Sequence, residues 1–401
     1  MKKPGSSERL RQRILSAIEA GGPQSRASVA HQLGISRSTA SLAISELFDD
    51  DLLETVDETR AGRGQPGRPG QLIGLRRRSK YLVGIDFGRL KLRVGLFDDG
   101  FGLVGVVERD FTVDIPALEA IEIAATETEA LLASHGVARA AVEAVGIGVP
   151  GPVDAKTGEL HAGSILARWV GTDVTGALGR RLDTPVYMDN DANLGILAES
   201  RIGAAQNSAV VLYVLLSVGV GLGIAIERRV FRGVQGIAGE LGHVVTDESG
   251  PLCRCGSRGC LEAQISVNAL AAALAPTHGT IGPDAMLELA VRGDLGARRV
   301  VADAAGMAGR AVGALCNYFN PDLVIVSGEL MRAADVVLPA IREAMARVSL
   351  PRAIEQVTLC PAALGEMSEL YGAAFFARQR ALGAPLAVAA AVMPGDLHAS
   401  H

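Results

Sequence analysis

The sequence has no apolar run that reaches the roughly 20 residues a membrane-spanning helix needs, and its start, MKKPGSSERL, has lysines with no apolar stretch behind them. A membrane span and a secretory leader are thus not expected; a cytoplasmic protein is. Cysteine is scarce, five in 401 residues. An odd and clustered set does not build a disulfide framework, and in a reducing compartment it points to metal. Charge of one sign is also weak, −5 over the whole chain. That total hides an asymmetry: residues 1–78 carry +4 and the remainder −9, so any nucleic-acid contact is expected at the front.

The length suggests two or three domains on a prior of roughly 100 to 200 residues each. In the first, Leu10, Ile14, Ala17 and Ile18 recur at helical spacing until GGP stops the helix. Ser25 can cap a second helix that buries Val29, Ala30 and Leu33 and ends at Gly34. Ser36 then opens a third, with Ala40, Ala43, Ile44 and Leu47 inward. The outward face presents Arg37, Ser38, Thr39 and Ser41, short polar side chains with one arginine, which suits a helix in a DNA major groove. LLETV and QLIGL read as paired strands enclosing GRGQPGRPG. Arg63 and Arg68 in that loop are free of bulky neighbours and are candidates for a narrow minor groove. Residues 1–78 therefore predict a winged helix-turn-helix; a small helical interaction domain with a basic linker is the alternative. RRRSK at 76–80 forms a charged junction.

From Tyr81 strands alternate with helices, which predicts an α/β architecture. YLVGIDFGRLKLRVGLFD and AVVLYVLLSVGVGLGIAI each read as strand, glycine turn, strand, so a duplicated lobe with a cleft between is expected. The expected bounds are 79–196 for the first lobe and 197–384 for the second. Residues 385–401 form a tail expected to fray. Glycines 219, 221 and 223 either admit a phosphate or only permit a tight hairpin and close packing.

Three of the five cysteines fall within HVVTDESGPLCRCGSRGCLE, at C-x-C-x4-C spacing ten residues after a histidine. His243, Cys253, Cys255 and Cys260 offer one nitrogen and three sulfurs, a closed tetrahedral set for a structural zinc, and Gly256 and Gly259 let the loop bend. Free thiols in a glycine loop are the alternative.

The order GIDFG, GVPGPVD, MDNDAN, GVGLG, GIAGELGH, CRCGSRGCLE, VIVSGEL and ALGEMSELYGAA resembles the ROK family of sugar kinases and sugar-responsive repressors over residues 80 to about 380. The resemblance implies a two-lobed actin-like, ribonuclease-H-like fold closing over a monosaccharide, with Asn190, Asp191, Glu240, His243 and Glu262 contacting it. It also implies that Asp191 matches the kinase general base. The nucleotide motifs depart from the kinase pattern: Arg89 and Leu90 stand in DFGRL where kinases carry glycine and threonine, and Glu329 stands in SGEL where they carry a second glycine. SILARWVG keeps Trp169 but lacks the family's asparagine.

The favoured expectation is a sugar-responsive DNA-binding repressor, without enzymatic activity, working as a homodimer or homotetramer on two-fold operator DNA. An active ATP-dependent sugar kinase and a regulator controlled by another protein, with a vestigial cleft, are the alternatives.

Overall fold

A computed structural model describes residues 6–49, 52–56, 72–75, 80–154, 157–160 and 166–383. It divides into two compact units, residues 1–79 and 80–401.

In the first unit, α1 (Ser6–Gly21), α2 (Arg26–Leu33) and α3 (Arg37–Asp49) enclose a core of Ile14, Ile18, Val29, Ile44 and Leu47. The caps follow from the sequence. Ser25 Oγ accepts the Ser28 N–H at 3.1 Å, and Gly34 ends α2 at φ 65°. Ser36 Oγ accepts from Thr39 N at 3.1 Å to start α3. Leu33, expected inside, is only half-buried at the edge of this core, because α2 stops there and the turn exposes its last residue. Strands β2 (Leu53–Val56) and β3 (Leu72–Leu75) pair antiparallel, and β1 (Gln24–Ser25) adds to β3. The expected loop GRGQPGRPG, with Arg63 and Arg68, lies outside the described residues, as do the basic junction at 76–79 and the tail 385–401.

The second unit holds two five-stranded sheets of one topology. The first contains β4 (Tyr81–Phe87), β5 (Lys91–Phe97), β6 (Leu103–Asp110), β7 (Val142–Val149) and β8 (Val186–Asn190), in the order β6-β5-β4-β7-β8. The second contains β9 (Val210–Leu216), β10 (Val220–Ile226), β11 (Arg229–Val230), β12 (Leu323–Ser327) and β13 (Thr358–Pro361), in the order β11-β10-β9-β12-β13. In each the first three strands are antiparallel and the last two join in parallel. The apolar runs seen in the sequence are the inner strands β4, β5, β7, β9, β10 and β12, buried almost throughout and therefore without polar alternation.

On the outer face of the first sheet lie α4 (Ala117–Ser134) and α5 (Val174–Leu182), around Phe87, Val94, Ile147 and Trp169. Two helices then trade sheets. α6 (Asp191–Arg201) leaves the last strand of the first sheet, and its Ala192 and Ile196 pack on Val211, Tyr213 and Ala225 of the second. The second sheet is covered by α7 (Leu261–Ile265), α8 (Val267–Ala273), α9 (Ala275–His278), α10 (Pro283–Val291), α11 (Leu295–Phe319), α12 (Ala334–Val348) and α13 (Pro351–Ile354). The final helix, α14 (Ser368–Leu382), returns to the first sheet, with Leu370 and Ala374 against Leu82, Phe97 and Ala144.

α6 and α14 cross each other where Gly372 sits so close to Leu194 that a Cβ would lie 2.0 Å from its carbonyl oxygen. Residues 80–401 form one compact unit, within which bounds of 79–196 and 197–384 were expected. A break at 196/197 would cut α6, and 368–382 belongs to the first sheet, because each lobe closes its inner face with a helix supplied by the other.

Candidate functional site

The carboxyl ends of β4, β7, β8, β9 and β12 converge on one cavity, lined among others by Asp86, Arg89, Asn190, Asp191, Glu240, His243, Glu262 and Glu329. Strand ends are where an open α/β sheet leaves room for ligand.

Asn190 ends β8 and caps α6, its Oδ1 accepting from Asn193 N at 3.1 Å. Its Nδ2 donates to Asp191 Oδ1 at 2.9 Å and to Gly151 O at 3.3 Å. Behind it, buried Asp189 accepts from Asn190 N at 2.8 Å and from Arg232 Nε at 2.8 Å, so the MDNDAN segment is braced from below. Burial and the charge of Asp86 push the Asp191 carboxyl up to about 7. Asp86 itself rises to about 6, from burial opposed by Arg93 and assisted by Glu329. A group near 7 exchanges protons at neutral pH with little free-energy penalty, as a general base requires.

Glu240 and His243 flank a single 3-10 turn, Leu241–His243. The turn reaches the cleft because Gly239, at φ 104°, lies against β10; a Cβ there would be 1.9 Å from Leu222 O. Glu240 Oε2 stands 3.7 Å from His243 Nε2. The opposite nitrogen, Nδ1, faces Cys253 Sγ at 3.6 Å, and Cys255 Sγ faces Cys260 Sγ at 3.6 Å. All four ligand atoms lie within 4.8 Å of one another. Around one tetrahedral zinc, sulfur to sulfur would be about 3.8 Å and sulfur to nitrogen about 3.6 Å. The donor set and its spacing thus fit a metal ion of that size. Burial holds the His243 imidazole below its ordinary pKa and hence neutral, the form that ligates.

Gly256 and Gly259 take φ 91° and 69° in the loop. Cys260 is the N-cap position of α7, which places Glu262 on its first turn, two residues past a ligand. Glu262 is buried. Its Oε2 accepts from Val220 N at 3.0 Å, and its Oε1 meets Arg89 Nη1 at 3.4 Å.

The nucleotide-side residues are equally defined. Leu90 packs against the second lobe's core, and Glu329 follows Gly328 with one buried carboxylate oxygen that has no hydrogen-bond partner. Gly221 and Gly223 serve packing: a Cβ on Gly223 would meet Ala192 O at 2.3 Å, and one on Gly221 would meet Ala192 Cβ at 3.1 Å.

The structure brings Asn190, Asp191, Glu240, His243 and Glu262 to one cavity and the three cysteines to His243. Trp169 does not line it. That residue is buried in the first lobe, donating Nε1 to Val113 O at 3.0 Å and Ile115 O at 3.1 Å. The loop it holds offers Asp114 to Arg254, between two of the cysteines, at 3.2 Å. Sequence reasoning missed this contact, the Arg89 contact to Glu262, and the role of Glu199. Glu199 is fully buried and accepts from Ala204 N, Ala363 N, Leu364 N and Ser368 Oγ, fastening the segment before α14 to α6. Its place on α6, which also carries Asp191, Asn193 and Arg201, did not single it out. In the first unit, Arg37, Ser38 and Thr39 are exposed at the start of α3, while Ser41 is half-buried.

The ROK family pattern matches residues 82–380. The chain is 26% identical over 360 residues to the xylose repressor of Bacillus subtilis strain 168, covering 90% of this chain and 92% of that one. It is 29% identical over 315 residues to a glucokinase of Thermotoga maritima, covering 75% and 98%. A crystal structure of a ROK family glucokinase from Streptomyces griseus in complex with glucose and AMPPNP superposes with a TM-score of 0.66 at 30% identity, covering 75% of this chain and 99% of that one. A ROK family transcriptional regulator described as a homolog of the E. coli MLC protein shares the fold, with a TM-score of 0.64 at 23% identity over 93% of this chain and 95% of that one. The chain belongs to the ROK family.

Proposed function

We propose, on the premise of this family, that the protein is a sugar-responsive transcription regulator: residues 1–78 read operator DNA as a winged helix-turn-helix, and the kinase-like unit binds a monosaccharide without phosphorylating it. The observation that carries this is the contrast within one cavity. Five polar side chains converge on one half, while Arg89, Leu90 and Glu329 occupy the other. Two features support the DNA-reading part. The repressor relative covers 90% of this chain against 75% for the glucokinase. Exposed Arg37, Ser38 and Thr39 stand on the first turn of α3, where a recognition helix contacts bases. Arg63 and Arg68 are assigned to the minor groove, and a dimer or tetramer to the two-fold operator.

In the sugar half, Asn190, Asp191, Glu240, His243 and Glu262 hold ring hydroxyls, which both donate and accept. His243, Cys253, Cys255 and Cys260 hold a structural zinc that rigidifies the loop carrying Glu262. The sugar favours the closed lobes, and linkage then changes operator affinity by the same factor, about 5- to 150-fold.

The test uses the full chain: electrophoretic mobility shift on promoter DNA at several salt concentrations, with and without each of a panel of monosaccharides. A salt-dependent specific complex whose affinity changes with one sugar is expected, and Glu262→Ala removes the change while leaving DNA binding. A response fully retained in Glu262→Ala would refute the assignment of the cleft.

One observation favours a second reading. Asp191, near 7, is tuned as a sugar kinase's base would be. Sugar-dependent ATP consumption decides it; none is expected, because Glu329 puts a carboxylate where phosphates would lie.

A further inference from the structure

Arg89 leaves the turn between β4 and β5 in the first lobe, and its side chain is 7% exposed. Its hydrogen-bond partners both come from the second lobe: Nη1 donates to Glu262 Oε1 at 3.4 Å and to Val218 O at 3.5 Å. Both bonds are long, and Nε is buried with no partner at all. Gly219 provides the seat, since a Cβ there would lie 3.4 Å from Arg89 Cζ and 3.2 Å from Glu262 Oε2. The guanidinium is therefore held in place yet has donor capacity in reserve.

Glu262 is complementary. One oxygen is oriented by Val220 N at 3.0 Å, and lone pairs remain on both oxygens. A donor-only group beside an acceptor-only group, at the wall of a polar cavity, is matched by a ligand group that does both, and a hydroxyl is that group. An anion is matched less well. Asp86, Asp191, Glu240 and Glu329 line the same cavity. The other nearby cations are engaged: Arg93 pairs with Asp86, Glu108 and Glu366, and Lys91 with Glu108 and Asp110.

We infer that Arg89 is a specificity-determining residue of the cleft: one hydroxyl of an uncharged sugar donates to Glu262 and accepts from the Arg89 guanidinium. The inference rests on the reading of this cavity as a monosaccharide site. It gives the nucleotide half of the cleft a ligand contact of its own. Because Arg89 and Glu262 belong to different lobes, that single hydroxyl touches both, and sugar ties the lobes together where a kinase would use a nucleotide.

The experiment is isothermal titration calorimetry on the full chain with D-glucose, D-xylose and N-acetyl-D-glucosamine, their single-deoxy analogues, and D-glucose 6-phosphate as the anionic arm. For a sugar that binds the unaltered chain, Arg89→Ala is expected to weaken binding on the order of 10- to 100-fold. One deoxy analogue should lose at least that factor against the unaltered chain and a clearly smaller one against Arg89→Ala, where only its bond to Glu262 is left to lose, while Arg89→Lys recovers part of the loss. A merely structural arginine would weaken the parent sugar and every analogue alike. If Arg89→Ala does not fold, the same comparison is made with Arg89→Lys, for which a reduced penalty for that one analogue is expected. Undiminished affinity in the variant, equal penalties for all analogues, or Arg89-dependent preference for the phosphate would each overturn the inference. Sugar binding that ignores Arg89 removes this inference alone; no sugar binding to the unaltered chain removes the underlying reading as well.

Discussion

The two halves of the cleft are built by opposite means. On one side, Asn190, Glu240 and Glu262 are polar residues held by helix caps, a 3-10 turn and a metal-capable loop, and their hydrogen-bonding capacity is only partly used. On the other, the same glycine-rich turns that serve phosphates elsewhere are jammed: Gly223 against the backbone of α6, Gly219 under a guanidinium, and Leu90 in the second lobe's core. The buried cleft atoms without a hydrogen-bond partner, Arg89 Nε and Glu329 Oε2, lie on this second side, beside the tight backbone contact of Gly223.

The strongest way to break this contrast is at the loop that stiffens the polar half. Cys260→Ser removes a buried member of the four-residue cluster. A loss on the order of 4 kcal/mol is expected, or roughly 6 °C in Tm for a unit of this size. Stoichiometric zinc by elemental analysis should fall with it, and an unchanged Tm together with an unchanged metal content would remove the structural role of the loop.

A second effect separates the halves by pH. Asp191 is raised from 3.8 to about 7, so burial disfavours its charged form. The stability that goes with the neutral carboxyl is complete below about pH 4 and is lost as pH rises through 7. Asp191→Asn stays neutral throughout, so relative to the unaltered chain it should gain about 3 kcal/mol between pH 5 and 8. Denaturant unfolding at both pH values measures the gain; equal differences at the two would show that Asp191 is ionised freely in the folded state.

Gly223→Ala tests the packing half. Its Cβ would press on Ala192 O at 2.3 Å, and a cost of about 2 kcal/mol in denaturant midpoint is expected, as for other overpacked sites. A neutral substitution would mean that β10 is free to move from α6 and that the glycine serves something else.

The smallest effect is at the rim. Arg254 and Asp114 form an exposed pair across the lobes, with side chains 37% and 63% exposed. Arg254→Ala should therefore cost less than about 1 kcal/mol, and less again at high salt. A larger, salt-independent loss would make this pair a structural tie comparable to the metal loop.

Much of this molecule could be anticipated from local pattern. The helix caps at Ser25 and Gly34, the strand–turn–strand pairs, and the cysteine spacing all depend on residues no more than 16 positions apart, where chain geometry leaves few alternatives. α4 (Ala117–Ser134) buries Ala117, Ala120, Ile121, Ala124 and Leu131 at helical spacing, a pattern that is local in the same way. The polar cavity was legible only by family resemblance, since Asn190, Glu240 and Glu262 are unremarkable taken singly. That α6 covers the second sheet was not legible, because the helix carries no mark of which sheet it will pack against.

The sequence alone determined the elements, the cysteine-rich loop and the helix–turn–helix start, since each is set by short-range sterics, capping and periodicity. Only the tertiary structure decided that α6 and α14 exchange sheets, that Glu199 anchors a segment more than 160 residues away, and that Arg89 meets Glu262 across 173 positions. These contacts hold their form because the path of the whole chain delivers buried charges and carbonyls to one another, and nothing in the residues flanking either partner encodes the other's place.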